Sequence, residues 1–234
     1  MKPFAFKQFE IQQSEHVFRV GTDGVLLGAL ANIDHAQNVL EVGTGTGLIS
    51  LMLAQRNPSA QFLGIDINEE AVHLTNLNFK NSPFAFRLKN ILQDFKRFED
   101  DEKFDLIVSN PPYFEESSSD KDKIARQTVE LNFQQLIFNS SKLLSENGVF
   151  SVIIPADIGN DFIEIARNSQ LFLNRKIHIY GIENSKLKRV ILEFSMREKV
   201  PDEFDFIIEK SPRQYSDQYL ELTKEFHVFK EARN

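Results

Sequence analysis

Apolar residues along this chain fall into two alternating patterns. Short runs rich in branched and aromatic side chains occur at 39–42, Gln61–Asp66, 84–88, Phe104–Ser109, 149–154, 176–180 and 189–196. Each reads as a strand. Between them, apolar positions return at helical spacing. Leu48, Leu51, Met52 and Gln55 form one such set, with the apolar residues on one side. Asn68 can cap the next helix, whose first turn carries Glu69 and Glu70 as the helix dipole prefers. Residues 133–144 read as a helix stopped by Asn147-Gly148, and 158–168 as another. Strand and helix in alternation predict a mostly parallel sheet covered on both faces. The last two strands are joined by a short polar connector, too short for a crossover helix, so they are expected to be antiparallel.

Two segments fall outside that alternation. Residues 1–38 read as an N-terminal extension packing on the core, with a helical piece near 25–31. Residues 115–129 form a polar loop with three consecutive serines, and loops of this kind commonly handle substrate. With 234 residues, the expectation is a single domain, the extension followed by a core at 39–234.

Composition then removes whole classes of chemistry. There is no cysteine, so disulfides, thiolate metal sites and cysteine nucleophiles are excluded. The five histidines stand far apart, which argues against a metal site. No apolar run reaches membrane-spanning length and no signal-peptide core opens the chain, so a soluble cytoplasmic protein is expected, with no membrane partner. The sequence leaves the oligomeric state at monomer or weak oligomer. Net charge is −7, from 27 basic and 34 acidic residues. Any nucleic acid must therefore be held by local cations. Candidate patches are Lys2, Lys7 and Arg19; Lys121, Lys123 and Arg126; Arg175 and Lys176; and Lys186, Lys188 and Arg189. Most of the 22 phenylalanines should be core.

Two motifs carry chemistry. The first strand runs into Gly43-x-Gly45-x-Gly47, a turn that lets backbone approach a ligand closely. Asp66, nineteen residues after Gly47, ends the second strand, where a carboxylate can accept both hydrogen bonds from a ribose diol. A dinucleotide fingerprint would be G-x-G-x-x-G, but here Leu48 and Ile49 follow Gly47. Glu41 precedes the turn; it would repel a pyrophosphate but suits the cationic sulfonium and amino group of S-adenosylmethionine. An adenine-contacting polar residue is expected just after the third strand, with Asn90 preferred and Asp94 the alternative.

The second motif is Asn110-Pro111-Pro112-Tyr113, directly after the fourth strand. An exocyclic amino nitrogen is planar, and its lone pair is delocalised into the ring. A site must accept hydrogen bonds from it and aim the lone pair at the methyl group. Asn110 offers a side-chain carbonyl and Pro111 a backbone one. Pro111 and Pro112 stiffen the loop, and Tyr113 can stack on the base.

Together these residues resemble the Class I S-adenosylmethionine-dependent methyltransferases that carry an Asn-Pro-Pro-Tyr motif. More specifically, residues 6–11 and the block Val20-Gly21-Thr22-Asp23-Gly24 are similar to bacterial enzymes that methylate N6 of adenine 37 in the anticodon loop of a valine tRNA. Further similarity lies at Ala125-Arg126, Pro155 to Asn160, Arg189 to Leu192 and Gln214-Tyr215-Ser216. The resemblance implies a Rossmann-like α/β fold with a mostly parallel seven-stranded sheet and an antiparallel last strand. It implies S-adenosylmethionine as cofactor and tRNA as partner, and it sets Thr22 and Asp23 near the cofactor's methionine end. From the residues alone, Thr22-Asp23-Gly24 also reads as a turn capping the helix at 25–31. The family often has an aromatic residue after the arginine at Arg126, and here it is Gln127. The RNA-facing cations are expected to be Lys7, Arg19, Lys121, Lys123 and above all Arg126. Competing readings are a guanine-N2 rRNA methyltransferase, a protein-glutamine methyltransferase, a dinucleotide oxidoreductase, and a non-catalytic cofactor-binding module.

Overall fold

The structure is a computed structural model that describes residues 1–17, 19–112 and 133–227. Its core is a nine-stranded sheet with helices on both faces. The strands are β3 (Asn38–Val42), β4 (Gln61–Asp66), β5 (Leu88–Leu92), β6 (Phe104–Ser109), β7 (Leu144–Pro155), β8 (Phe172–Ile182), β9 (Leu187–Ser195), β10 (Asp202–Ser211) and β11 (Gln214–Tyr215). Their order is β11-β10-β8-β9-β7-β6-β3-β4-β5. Only β9 and the short β11 run against the rest. The expected seven strands are therefore present, with β9 as the antiparallel one. Two strands, β10 and β11, extend the sheet beyond that expectation.

Alternate residues of the central strands feed two cores, as strand geometry requires. Val39, Leu106, Val108 and Ile153 pack on one face with α1 (Thr22–Leu30) and α2 (Leu48–Arg56). Leu40, Val42, Ile107, Val152 and Ile154 pack on the other. There they meet α4 (Phe133–Leu143) and α5 (Gly159–Asn168), around a cluster of Phe150, Phe162 and Phe194. The remaining helices are α3 (Glu69–Lys80) and α6 (Asp217–Thr223).

The helices α1 and α2 lie side by side and parallel. A Cβ at Gly24 would sit 3.1 Å from Leu48, and one at Gly28 would sit 2.9 Å from Met52. Both helices therefore start at the carboxyl edge of the sheet, where the parallel strands end. The extension begins at the opposite edge. Strands β1 (Phe4–Ala5) and β2 (Glu10–Ile11) form a hairpin. Phe6 bridges to His227, Lys7 N–H donates to Phe226 O, and the ring of Phe9 meets that of Phe84. From there the chain climbs α3 towards the carboxyl edge. Gln12 bonds Asn78, Ser14 bonds Glu70, and Val17 packs on Ala71 and Leu74.

Several local expectations shift. The third strand is Leu88–Leu92, later than 84–88. Residues 85–87 are instead a 3-10 turn that buries Arg87, whose guanidinium donates to Ala54, Asn57 and Ala60 carbonyls below α2. The first helix starts at Thr22, with Gly21 as N-cap and no side-chain cap, so Thr22 is a helical residue and not a capping one. Asn147-Gly148 stops no helix: α4 passes directly into β7, which contains both residues. Gly148 is needed there because a Cβ would stand 2.7 Å from Phe104 O on the neighbouring strand.

Candidate active site

Val42 and Ser109 are level on adjacent parallel strands, and Ser109 Oγ donates to Val42 O at 3.0 Å. The next residues are Gly43 and Asn110. The glycine turn and the Asn-Pro-Pro segment thus leave the sheet side by side, one strand spacing of about 4.8 Å apart. This juxtaposition joins two motifs that are sixty-seven residues apart in the chain.

The turn is strongly specified. Gly43, Gly45 and Gly47 have φ of 77°, 55° and 77°, in the left-handed region. At Gly43 and Gly45 a Cβ would meet nothing within 4 Å, so open space faces the turn there. Gly47 is different: a Cβ would stand 2.6 Å from the Phe79 ring. Side chains then hold the backbone. Asp66 accepts from Gly45 N–H through one oxygen and from Asn68 N–H through the other, both at 2.9 Å. Thr75 donates to Gly45 O at 2.8 Å, and Asn78 donates to Thr46 O at 2.9 Å. The same Asn78 amide grips Gln12 at both its N–H and its carbonyl, tying the extension to the turn.

Glu41 lies beneath the turn, 1% exposed. Its Oε2 accepts from the amide and hydroxyl of Ser50, and its Oε1 has no hydrogen-bond partner. Burial pushes its carboxyl up to about 8, with the nearby charge of Asp66 adding to the rise. A buried carboxylate oxygen without a partner, beside an open glycine turn, fits a ligand that brings a positive charge. It does not fit a pyrophosphate.

Asp23, in the first turn of α1, pairs with Arg189 Nε of β9 at 3.0 Å. Arg189 is opposite Pro155 in the ladder, so this pair also lies at the carboxyl edge. Asn90 is placed in mid-strand, not after it. Its Oδ1 accepts from the Thr44 hydroxyl at 3.2 Å, under the turn, while its Nδ2 is buried without a partner. Asp94 is the second residue past β5, after Gln93, whose N–H donates to Asp66 O.

The substrate-side residues divide. Asn110, Pro111 and Pro112 follow β6 as expected, whereas Tyr113, Lys121, Lys123 and Arg126 lie outside the described residues. Arg19 is exposed just before α1, at the carboxyl edge. Lys7 is not brought to the site. It is tied to Phe226, next to Glu225, whose carbonyl accepts from Gln55 near the far end of α2. That is about one helix length, roughly 13 Å, from the turn. Ser50, Thr75, Asn78 and Ser109 were not singled out by sequence. One signal was available: Thr75 and Asn78 are polar residues on the same helical stripe as Ala71 and Leu74.

Fold and site together define a Rossmann-like S-adenosylmethionine-dependent methyltransferase. The family described as "Methyltransferase small domain" matches residues 14–180. A relative from Flavobacteriaceae bacterium (strain 3519-10), named tRNA1(Val) (adenine(37)-N6)-methyltransferase, is 51% identical and covers 98% of this chain and 100% of its own. A relative of the same name from Phocaeicola vulgatus is 44% identical, covering 96% and 97%. The chain belongs to the methyltransferase small domain family, in the group of tRNA1(Val) (adenine(37)-N6)-methyltransferases. Among solved structures, a predicted O-methyltransferase from Agrobacterium tumefaciens shares the fold at TM-score 0.68 and 16% identity, covering 87% of this chain and 96% of that one. The ribosomal protein L11 methylase of Lactobacillus delbrueckii subsp. bulgaricus does so at 0.57 and 17%, covering 78% and 82%. Among the described residues no helix is long and apolar enough to cross a membrane.

Proposed function

We propose that this protein transfers a methyl group from S-adenosylmethionine to N6 of adenine 37 in the anticodon loop of a valine tRNA, in the cytoplasm. The observation that carries the reading is the alignment of Gly43 with Asn110 across β3 and β6, in a chain whose full-length relatives bear that activity in their names. When bound, S-adenosylmethionine supplies a methyl group on a positively charged sulfur. Glu41, the glycine turn and the start of α1 at Thr22 and Asp23 hold its methionine end. Asp66 receives the ribose hydroxyls. Asp94, just past β5, is better placed for the adenine than Asn90, which supports the turn from below.

The chemistry asked of Asn110 and Pro111 is orientation. Their carbonyl oxygens accept the two N6 hydrogens of the target base, which turns the nitrogen lone pair towards the methyl group. As the new C–N bond forms, the methyl carbon's bond to sulfur would break with its electron pair left on sulfur; positive charge grows on the nitrogen, both hydrogen bonds strengthen, and one N6 proton would then pass to solvent. Interactions that strengthen in this way lower the barrier rather than merely binding substrate. Pro112 stiffens the segment, and Tyr113 stacks on the base. No histidine is required, because in-line placement of the two reactants supplies much of the rate.

The test is incubation with labelled S-adenosylmethionine and total tRNA, followed by nucleoside analysis. The expected product is N6-methyladenosine confined to valine tRNA. Label in guanosine, or in protein added in place of RNA, would reject the reading in favour of one of the two other planar-nitrogen substrates.

A further inference from the structure

The strand directions put two hairpin tips at the same edge as the glycine turn. Residues 183–186 join β8 to β9, and Pro212-Arg213 join β10 to β11. On or beside these tips stand Lys186, Lys188, Lys210 and Arg213, all exposed. Among the described residues none of the four side chains is in an ion pair, although Arg213 N–H donates to Glu209 Oε2 at 3.2 Å, and Glu183 and Glu209 are the acidic residues of the two tips. From β6 to β10 is four strand spacings, about 19 Å. The cations therefore form a rim leading away from Asn110 on one side.

The other side of the same edge has the opposite character. Asp66, Glu69, Glu70 and Asp94 stand around the ends of β4 and β5, and Lys96 there is paired with Asp94. A polyanion whose target base reached Asn110 would be repelled over β4 and β5 and attracted over β8 to β10. In a chain of net charge −7, this segregation gives a direction as well as a site.

The second tip adds an independent observation. Arg213 has φ of 66° and Asn184, in the first tip, has 60°. Asparagine adopts that conformation readily, whereas arginine does so at a cost. The second hairpin thus holds a long cation where glycine or asparagine would suit the backbone better.

We infer that the two hairpin tips form a docking rim for the phosphates of an RNA stem, with Lys186, Lys188, Lys210 and Arg213 as its contacts. This rests on the RNA-substrate reading above and adds the face on which the stem lies. The stem runs from Asn110 outward over β9, β8 and β10.

The experiment compares wild type with the K186Q/K188Q/K210Q/R213N variant in tRNA binding over a salt series, with S-adenosylmethionine affinity and tRNA methylation measured on the same preparations. R213N keeps a residue suited to φ of 66°, so the second turn should survive. The expected result is tRNA affinity reduced at least about tenfold in moderate salt, with the logarithmic salt slope shallower by about 2 to 4. S-adenosylmethionine affinity should be unchanged, which also reports an intact fold. Wild type that methylates tRNA, together with a variant of equal tRNA affinity and slope, overturns the rim alone. Wild type that neither binds nor methylates tRNA overturns the substrate reading, and the rim with it. If the combined variant loses S-adenosylmethionine affinity, the pair K186Q/K188Q and the single R213N are measured separately. Wild-type tRNA affinity in both then overturns the proposal.

Discussion

The two halves of the sheet's carboxyl edge are built in opposite ways. Around β3, β4 and β5 most polar groups of the turn are held: Gly45 N–H by Asp66, Gly45 O by Thr75, Thr46 O by Asn78, and one oxygen of Glu41 by Ser50, with Glu41 Oε1 and Asn90 Nδ2 left over. At the β8–β9 and β10–β11 tips Lys186, Lys188, Lys210 and Arg213 stand exposed, with none of their side chains in an ion pair among the described residues. The first arrangement is preorganised for one small molecule, and single changes there should cost free energy sharply. The second is a field spread over about 19 Å, suited to a large polyanion, where charges act additively and salt weakens them all. Asp23 and Arg189, one from α1 and one from β9, form the ion pair that links the two halves.

This contrast can be broken most directly at its centre. Asn110→Ala should lower kcat by about 10²–10³-fold, the range for removing one group that stabilises developing charge, while S-adenosylmethionine affinity stays near wild type. Single-turnover methylation with calorimetry of cofactor binding checks this. Retained turnover would show that Asn110 only shapes the loop. Gly47→Ala should destabilise the fold by about 2–4 kcal/mol, from a left-handed residue and a Cβ driven into Phe79. Denaturant unfolding measures it, and a change below about 1 kcal/mol would mean the turn relaxes more easily than its contacts suggest.

Asp66→Ala should weaken S-adenosylmethionine binding by about 1–3 kcal/mol. Part of that loss is indirect, because Asp66 also holds Gly45 N–H. Asp66→Asn keeps one acceptor oxygen and should therefore fall between alanine and wild type.

Glu41 gives the smallest and most informative effect. Its carboxyl is raised from 4.5 to about 8 in the ligand-free fold. The fold therefore favours the protonated form. Glu41's contribution to stability is present in acid and lost as pH climbs from about 5 through about 8. Glu41→Gln should flatten that pH dependence in thermal unfolding. A cationic ligand favours the ionised form, so binding to wild type at neutral pH should release a proton and tighten as pH approaches 8. Calorimetry in buffers of different ionisation enthalpy reads the proton directly. Equal proton release in wild type and Glu41→Gln would remove Glu41 from the cofactor site.

The cofactor half was far more legible in the sequence than the other. A strand, a glycine turn and an acidic strand end are local patterns, and each leaves a local trace. The helices α2 and α3 were readable for the same reason, with Asn68 capping α3 as its side-chain chemistry predicts. The failures have non-local causes. Residues 202–211 carry Asp202, Glu203, Asp205 and Glu209, which mask a strand that exists because β8 offers it a parallel edge. Asn147-Gly148 looks like a helix stop, yet Gly148 is there for a close approach to Phe104 O. The third strand was displaced because Arg87 seeks carbonyls some thirty residues away. Asp23 and Arg189 are 166 residues apart, and no spacing rule links them.

The hairpin that opens the chain has a consequence for how the protein is made. Phe4 and Phe6 find aromatic and bridge partners at His227, and Lys7 bonds Phe226 O. Residues 4–7 thus wait for partners made some 220 residues later. At roughly 5–20 residues per second, the interval is on the order of 10 to 40 seconds. Throughout it, Phe4 and Phe6 lack these partners. A circular permutant that links Asn234 to Met1 would make the hairpin and its docking partners near neighbours in sequence, so that they could meet as soon as both are synthesised.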